Sequence, residues 1–498
     1  MKPLDQSYRQ PERVVYPLPN RPVKPPEFYL FLLGSDLLAL GLSLVLAVYF
    51  RDLLGRVWPS LPPFSFQQDL YGLLKRAWVF TPVFLTLAVR RVYDRRLPFW
   101  EETREIISAL VLGFALVYAL VSLKKMGQEV SRLAIGFTGM ITLVCLPSFR
   151  YILKNALFSL KRYCSNTLIL GAGKTGQALA RALKEEKYLG YQVVGFLDDD
   201  AQLHGQILEG FKVFGSVRQA GKFVRLMNIE TVFIVGSSFS SERLAEIFAY
   251  LQRLVREIFI VPQFYGIGML NAELSCLFSQ KLFLIKIRNN LRSPVNQFIK
   301  RFFDLSVAFL LLPLLIPVLL FLGLLIKLDS PGPVFFVQDR VGKGGRGFRI
   351  YKLRTMYQNA DEILQDYLRK RPEIQQEWLR FRKLRSYDPR ITRVGRFLRR
   401  FSLDELPQII NVLKGEMSLV GPRPVTFEEL SFYRESLSFY FAVRPGITGL
   451  WQISGRNLLP FEERIRLDMW YVLNWSLWLD IIILVRTIEA VLSRKGSF

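Results

Sequence analysis

The sequence predicts a multidomain membrane protein: a four-helix transmembrane bundle, a Rossmann-like α/β domain, and a C-terminal, mostly helical domain with a re-entrant membrane helix. Three observations carry this. Four apolar stretches lie before residue 150, a Gly-x-Gly-x-x-Gly turn follows a strand pattern near residue 170, and a proline-interrupted apolar run begins at Leu305. Of the 498 residues 51% are hydrophobic and mean hydropathy is +0.22, yet the formal net charge is +25. Apolar and basic together point to embedding beside anionic head groups, or to phosphate-bearing substrates. Nothing reads as a groove-binding module, so nucleic acid is not an expected partner.

Residues 1–27 are Pro-rich and basic without an apolar region beside a cleavage site, the composition of a disordered cytoplasmic tail and not of a signal peptide. Residues 28–150 hold four candidate spans, Phe28–Phe50, Tyr71–Val89, Ile106–Leu123 and Leu133–Pro147. Each is near the roughly 20 residues a bilayer core requires, and the fourth is short enough to be a buried helix instead. Arginines and lysines in the tail, in the second loop (Arg90, Arg91, Arg95, Arg96) and after the fourth span (Arg150, Lys154, Lys161, Arg162) put both ends in the cytoplasm. Lys124 and Lys125 in the third loop blur that contrast.

Residues 151–262 read as the Rossmann-like domain. "NTLILGAGKTGQALARAL" is strand, glycine turn and helix, with Gly171, Gly173 and Gly176 in the fingerprint and Asp198 about twenty residues on. Two readings stay open: nucleotide binding, or a regulatory or docking domain that keeps the turn and binds nothing. Residues 263–297 form a connector. Residues 298–498 form the last domain, opening on the run Leu305–Ile326, which Pro313 and Pro317 interrupt. Basic residues flank both ends, so a spanning helix would carry downstream charge across the membrane. A re-entrant helix over 305–327, broken at Pro317, avoids this and is preferred to a kinked span.

Cysteine and histidine exclude other chemistry. Cys145, Cys164 and Cys276 are isolated, which gives neither a disulfide framework nor zinc spacing. His204 is the only histidine and follows the acidic run Asp198–Asp200 as an ordinary loop residue. Acid–base work therefore falls to carboxylates, Lys, Tyr or Arg-assisted groups.

The chemistry-bearing residues follow residue 350. In "FRIYKLRTM" the strand period puts Lys352 and Arg354 on one face; a charged edge strand is the plain alternative. In "DPRITRVGRFLRRFS" Arg390, Arg393, Arg396 and Arg399 recur every three residues, a basic stripe on a helix that lipid head groups or a phosphate substrate would offset. "SLDELPQIINVLKGEMSLVGPRP" follows. Ser402 and Glu405 fit a capping box, and Asp404 falls in the first turn, where the helix dipole favours its ionised form. Such a carboxylate is a nucleophile toward phosphorus or a ligand for Mg²⁺. Arg423, Arg444 and Arg456 ride on Pro/Gly turns in "GPRP" and "VRPGITGLWQISGRN", suited to bidentate phosphate binding or simply surface turns.

Together "YKLRTM", "RRFSLDELPQIINVLKGEMSLVGPRP" and "RPGITGLWQISGRN" strongly resemble the bacterial sugar transferase family of polyprenyl-phosphate hexose-1-phosphate transferases, from about Lys300 to the C-terminus. The layout of spans, Rossmann-like domain and final domain resembles its undecaprenyl-phosphate galactose or glucose phosphotransferases, which start O-antigen, capsule or exopolysaccharide synthesis. The resemblance implies UDP-hexose and undecaprenyl phosphate as substrates and UMP as product. It makes Asp404 the nucleophile that takes the phosphosugar, Glu405 its partner, and Mg²⁺ the cofactor held by both. The family's basic positions fall on Lys352, Arg399 and Arg423. Its helix-breaking Ser-Pro is Ile316-Pro317 here, a departure that leaves the break to Pro317 alone. The resemblance further implies a multi-pass protein of the bacterial inner membrane with its catalytic domain on the cytoplasmic face, the C-terminal "WLDIIILVRTIEAVLS" as an interfacial amphipathic helix, and room for a homodimer.

Two other classes compete. A membrane-anchored nucleotide-sugar epimerase or dehydratase needs Tyr-x-x-x-Lys after the glycine turn, whereas the pair found, Tyr71 and Lys75, lies upstream in an apolar segment. A non-enzymatic polysaccharide-assembly scaffold explains the layout but not the charged motifs.

Overall fold

Helix α1 (Pro26–Val57) runs 32 residues, past the first predicted span at its C-terminal end. The computed structural model describes residues 26–58, 66–124, 126, 131–161, 163–262, 272–277, 282–287, 290–371, 387–455 and 459–492, so the tail up to residue 25 and parts of the connector lie outside the described residues. The chain forms two units, Met1–Gln263 and Phe264–Phe498.

In the first unit the predicted second span is not one helix. It divides into α2 (Phe66–Lys75), a single tight turn at Ala77–Phe80 and α3 (Thr81–Val89). Pro82 cannot donate an N–H, so it fits only the first turn of a new helix. The third and fourth spans are longer than predicted: α4 (Phe99–Leu123) and α5 (Arg132–Ser159), whose N-cap Ser131 accepts from the Ala134 amide at 3.3 Å. Pro147 lies inside α5 and does not end it, so Arg150 and Lys154 are not loop residues but helical and buried. Helix α1 packs along α5, and α4 lies on α3 and α5. Leu44, Val83, Leu87, Ile106, Leu110 and Ile135 fill the centre, while Leu38, Leu112 and Val144 point outward, the exposure expected of lipid-facing helices.

The sheet that follows has strands β1 (Ser165–Leu170), β2 (Tyr191–Leu197), β3 (Ile207–Leu208), β4 (Phe211–Val213), β5 (Thr231–Val235) and β6 (Glu257–Val261), in the order β3-β4-β2-β1-β5-β6. All pairs are parallel except β3 with β4. β2 and β5 flank β1 on opposite sides, so the glycine turn after β1 stands at the topological switch point.

In the second unit Leu305–Ile326 lies within one uninterrupted helix, Pro294–Asp329, with Pro313 and Pro317 both inside it. The predicted break at Pro317 is absent. Spaced four apart, the prolines leave the Phe309 and Pro313 carbonyls without helical donors on one face, which bends a helix without ending it. Most of its apolar surface is uncovered, as with Leu310, Leu320 and Leu324. Together with α1, α4 and α5 it makes four helices, among the described residues, long and apolar enough to cross a membrane. The antiparallel hairpin Phe335–Val341/Gly347–Leu353 follows, then short helices and the parallel pair Ser418–Val420/Gly446–Thr448. Lys300 is not a solvated flank: its ammonium is buried on Asp480 at 2.7 Å, with Tyr471 donating to the same carboxylate at 2.7 Å. The C-terminal helix Leu477–Leu492 buries Leu479, Asp480 and Ile483 in this core and exposes Val485, Ile488 and Leu492.

Candidate active site

Lys352 sits near the end of the second hairpin strand, paired across to Phe336, and its Nζ donates to Glu405 Oε1 at 2.7 Å. Arg354 does not share its role. The strand ends at Leu353, and the Arg354 guanidinium turns beneath the end of Pro294–Asp329, donating to the Ser330 and Pro331 carbonyls at 2.7 Å each and to Ser330 Oγ at 2.9 Å. A helix C-terminus leaves such carbonyls needing donors.

The arginine stripe is shorter than the spacing suggests. Arg390 precedes the helix and grips Asp388 through Nε and Nη2 at 2.8 and 2.7 Å. Helix Arg393–Arg400 starts at Thr392, whose Oγ1 accepts from the Gly395 amide at 2.9 Å. Arg396 stacks over Tyr387, and Arg399 donates from Nε to Thr355 Oγ1 at 2.9 Å while its charge acts on Asp404.

The capping box does not form. Ser402 is left-handed (φ +56°) and makes no cap bond, Leu403–Gln408 winds as a 3₁₀ turn, and α-helix begins only at Ile409. Pro407 explains this: lacking an N–H, it cannot bond back to Leu403, and the tighter coil replaces the first α-turn. The dipole of an α-helix is therefore not what sets the charge of Asp404. Burial raises its carboxyl above the usual range and the Glu405 charge adds to that, while Lys352 and Arg399 pull it down.

The two Pro/Gly motifs are joined by the parallel pair, with Ser418 opposite Gly446 and Val420 opposite Thr448. Gly421 is required there, since a Cβ would lie 2.6 Å from the Arg444 carbonyl. Arg423 on the Gly-Pro-Arg-Pro turn meets Glu429 at 3.0 Å. Arg444 points elsewhere: its Nε donates to the Gly415 carbonyl at 2.8 Å, beside Arg301 on the carbonyls of Val412 and Leu413, so both close the end of Ile409–Lys414. Arg456 lies outside the described residues.

Asp404, Glu405, Lys352, Arg354, Arg390, Arg399 and Arg423 line one cavity of about 2240 Å³, which Leu311 and Leu315 of the long apolar helix also line. Arg340, Glu429 and Arg464 face it too; their surroundings, "VQDRVG", "TFEEL" and "ERIRL", carry no spacing that singles them out. Among the described residues no three His, Cys, Asp or Glu side chains converge as a metal cluster. The adjacent Asp404 and Glu405 do fit Mg²⁺, which takes one or two carboxylates and completes its sphere with substrate phosphates and water.

In the first unit Gly171 adopts φ +102°, and a Cβ at Gly176 would lie 2.0 Å from the Gly171 carbonyl oxygen, so the fingerprint turn is tightly built. Gly173 caps helix Lys174–Glu185 with open space beside it. Asp198 closes onto the turn, accepting from the Ala172 amide at 2.6 Å and from Asp200 at 2.9 Å.

Comparison with known proteins finds two family models along the chain. The model of a family described as bacterial sugar transferase matches residues 295–494, and one described as CoA-binding domain matches residues 92–262. The chain is 36% identical over 412 residues to the undecaprenyl-phosphate galactose phosphotransferase of Salmonella typhimurium, covering 82% of this chain and 84% of that protein. It is 31% identical to the UDP-glucose:undecaprenyl-phosphate glucose-1-phosphate transferase of Xanthomonas campestris, over 80% of this chain and 83% of the relative. The exopolysaccharide production protein ExoY of Rhizobium meliloti is matched along 90% of its length by only 41% of this chain, at 45% identity. The chain belongs to the bacterial sugar transferase family.

Proposed function

We propose that this enzyme moves hexose-1-phosphate from a UDP-hexose to undecaprenyl phosphate and so initiates a surface polysaccharide. The observation that carries the reading is the Asp404–Glu405 pair, set against Lys352 and Arg399 in a cavity that an apolar, membrane-length helix also lines. An Asp404 carboxylate oxygen attacks the sugar-bearing phosphorus; the bond to the UMP phosphate breaks, and UMP leaves with the electron pair. An oxygen of the lipid phosphate then attacks the same phosphorus and releases Asp404 unchanged. Arg399 and Lys352 oppose the charge that builds during both steps. Glu405, held by Lys352, stands where the entering lipid phosphate meets the aspartyl phosphosugar. Mg²⁺ bound by Asp404 and Glu405 would neutralise the diphosphate.

The reading includes a re-entrant path for Pro294–Asp329, a catalytic unit on the cytoplasmic face of the bacterial inner membrane, and a homodimer that detergent-complex mass would report. Lys300 and Ser330 are buried, so the path is better read at exposed Phe298 and Leu328. Cysteines at both positions should resist labelling from outside intact cells; external labelling at one alone means the helix spans. The reaction itself is tested by UMP release from a panel of UDP-sugars with purified protein and undecaprenyl phosphate, which also identifies the hexose. No release from any of them rejects it.

A further inference from the structure

We propose that Arg340, Arg423 and Arg464 form a second phosphate seat, separate from Lys352 and Arg399, in which the Glu429 carboxylate stands in for a phosphate until a ligand displaces it. The inference rests on the reaction proposed above and adds to it a division of the cations.

Arg340 and Arg423 come from different elements, the end of strand Phe335–Val341 and the Gly-Pro-Arg-Pro turn, and converge on one carboxylate. Arg423 Nη1 meets Glu429 Oε1 at 3.0 Å and Arg340 Nη1 meets Oε2 at 3.4 Å. Glu429 Oε2 also accepts from the Thr426 amide at 2.9 Å. Two guanidinium groups and a backbone N–H on one anion are the donors that a phosphate oxygen set takes. Gln338 steadies Arg340 from the other side, accepting at 2.8 Å.

Arg464 is the third cation, set by helix Phe461–Leu473 and stacked over Trp451 at 5.0 Å. Burial and the Arg423 charge together hold both Arg340 and Arg464 below the ordinary arginine value, the mark of cations crowding one another. Glu429 draws on both Arg423 and Arg340 and is held below the usual carboxylate range against its burial. Two further carboxyls act on the group: Glu405, whose charge reaches Arg340 and which is itself held by Lys352, and Asp468, which burial pushes up to about 8, so that it is mostly protonated at neutral pH, with Tyr433 donating to it at 3.2 Å. A ligand bearing more charge than one carboxylate suits this group better than Glu429 does.

The chemistry asks for such a seat. Lys352 and Arg399 act on Asp404, where the travelling phosphorus is attacked. Every transfer from a diphosphate to a phosphate acceptor has a second phosphate beside the one in transit, first the departing nucleotide's and then the acceptor's. Arg340, Arg423, Arg464 and Glu429 line the same cavity as Asp404.

Binding separates the two sources. The full chain in lipid nanodiscs is titrated calorimetrically with UMP and, separately, with a short-chain isoprenyl phosphate. Arg340→Gln should weaken one of these at least tenfold and leave the other within threefold. Arg340→Lys should recover part of the loss, and Glu429→Gln should tighten the same ligand several-fold by removing its competitor. A loss confined to UMP assigns the seat to the departing nucleotide, and one confined to the isoprenyl phosphate assigns it to the acceptor. Unchanged affinity for both, equal loss of both, weaker binding in Glu429→Gln, or a wild type that binds neither probe overturns the seat. If Arg340→Gln does not fold, Arg340→Lys and Glu429→Gln decide the matter alone. Binding is read without turnover, so a wild type inactive toward every UDP-sugar would count against the reaction and not against the seat.

Discussion

Glu102, fully buried, and Asp404, half-buried, are both acids set among cations, and they are finished differently. Glu102 belongs to a closed network in the helical bundle. Arg150 donates to both oxygens of Asp36 at 2.8 and 2.6 Å and to Glu102 at 2.9 Å, and Lys154 pairs with the other Glu102 oxygen. Tyr93 donates to Asp36 at 2.7 Å and Tyr188, from the turn before β2, to Glu102 at 2.8 Å. Two carboxylates meet two cations, and two phenols take up remaining acceptor capacity. Asp404 has no such closure: its neighbour is a second acid, Lys352 is engaged by Glu405, and the pair opens on the cavity. Charges that hold a fold together are saturated by the fold, whereas those kept for chemistry retain capacity for a substrate.

The contrast can be broken at each end. The largest effect is expected at Asp404→Asn, which should lower UMP release by at least roughly a thousandfold, since the proposed reaction gives its nucleophile no substitute, while leaving the detergent melting temperature near that of wild type. Glu102→Gln should do the reverse. It leaves buried cations undercompensated, a cost of about 3–5 kcal/mol, read as a large drop in melting temperature with activity per folded molecule retained. Lys352→Gln lies between them: its pair with Glu405 is partly exposed, so stability should hold while UMP release falls about a hundredfold, the scale of losing one electrostatic contact to a transition state. The smallest effect is a slope. The Asp468 carboxyl sits near 8 in the fold, against about 4 in an unfolded chain. The folded state thus keeps a proton that the unfolded state releases, and the stability from that proton, complete below about pH 4, is lost as pH rises toward 8. Asp468→Asn should flatten the decline in melting temperature between pH 5 and 8.

What could be read in advance divides along the same line. Asp404, Glu405, Lys352, Arg399 and Arg423 were legible because they stand in long motifs, and they do line one cavity. Arg354 lines that cavity too but spends donors on carbonyls just past a helix end, and Arg444 closes the end of another helix, demands visible only once the helices are in place. The capping box failed on a local conflict already written in the chain, Pro407 against the α-turn. Arg150 and Lys154 look like a basic flank because their partners are remote: Asp36 is 114 residues from Arg150, and Glu102 is 52 from Lys154. Arg340 and Glu429 gave no signal, since their convergence is a product of tertiary folding across 89 residues.

Lys352 and Arg354 are separated by a single residue, yet one holds Glu405 and the other grips the Ser330 and Pro331 carbonyls just past the end of the long apolar helix. The end of strand Gly347–Leu353 is therefore a shared anchor: the counter-ion of the acidic pair and the clasp on the end of the apolar helix hang from the same short run of backbone, with Leu353 buried between them.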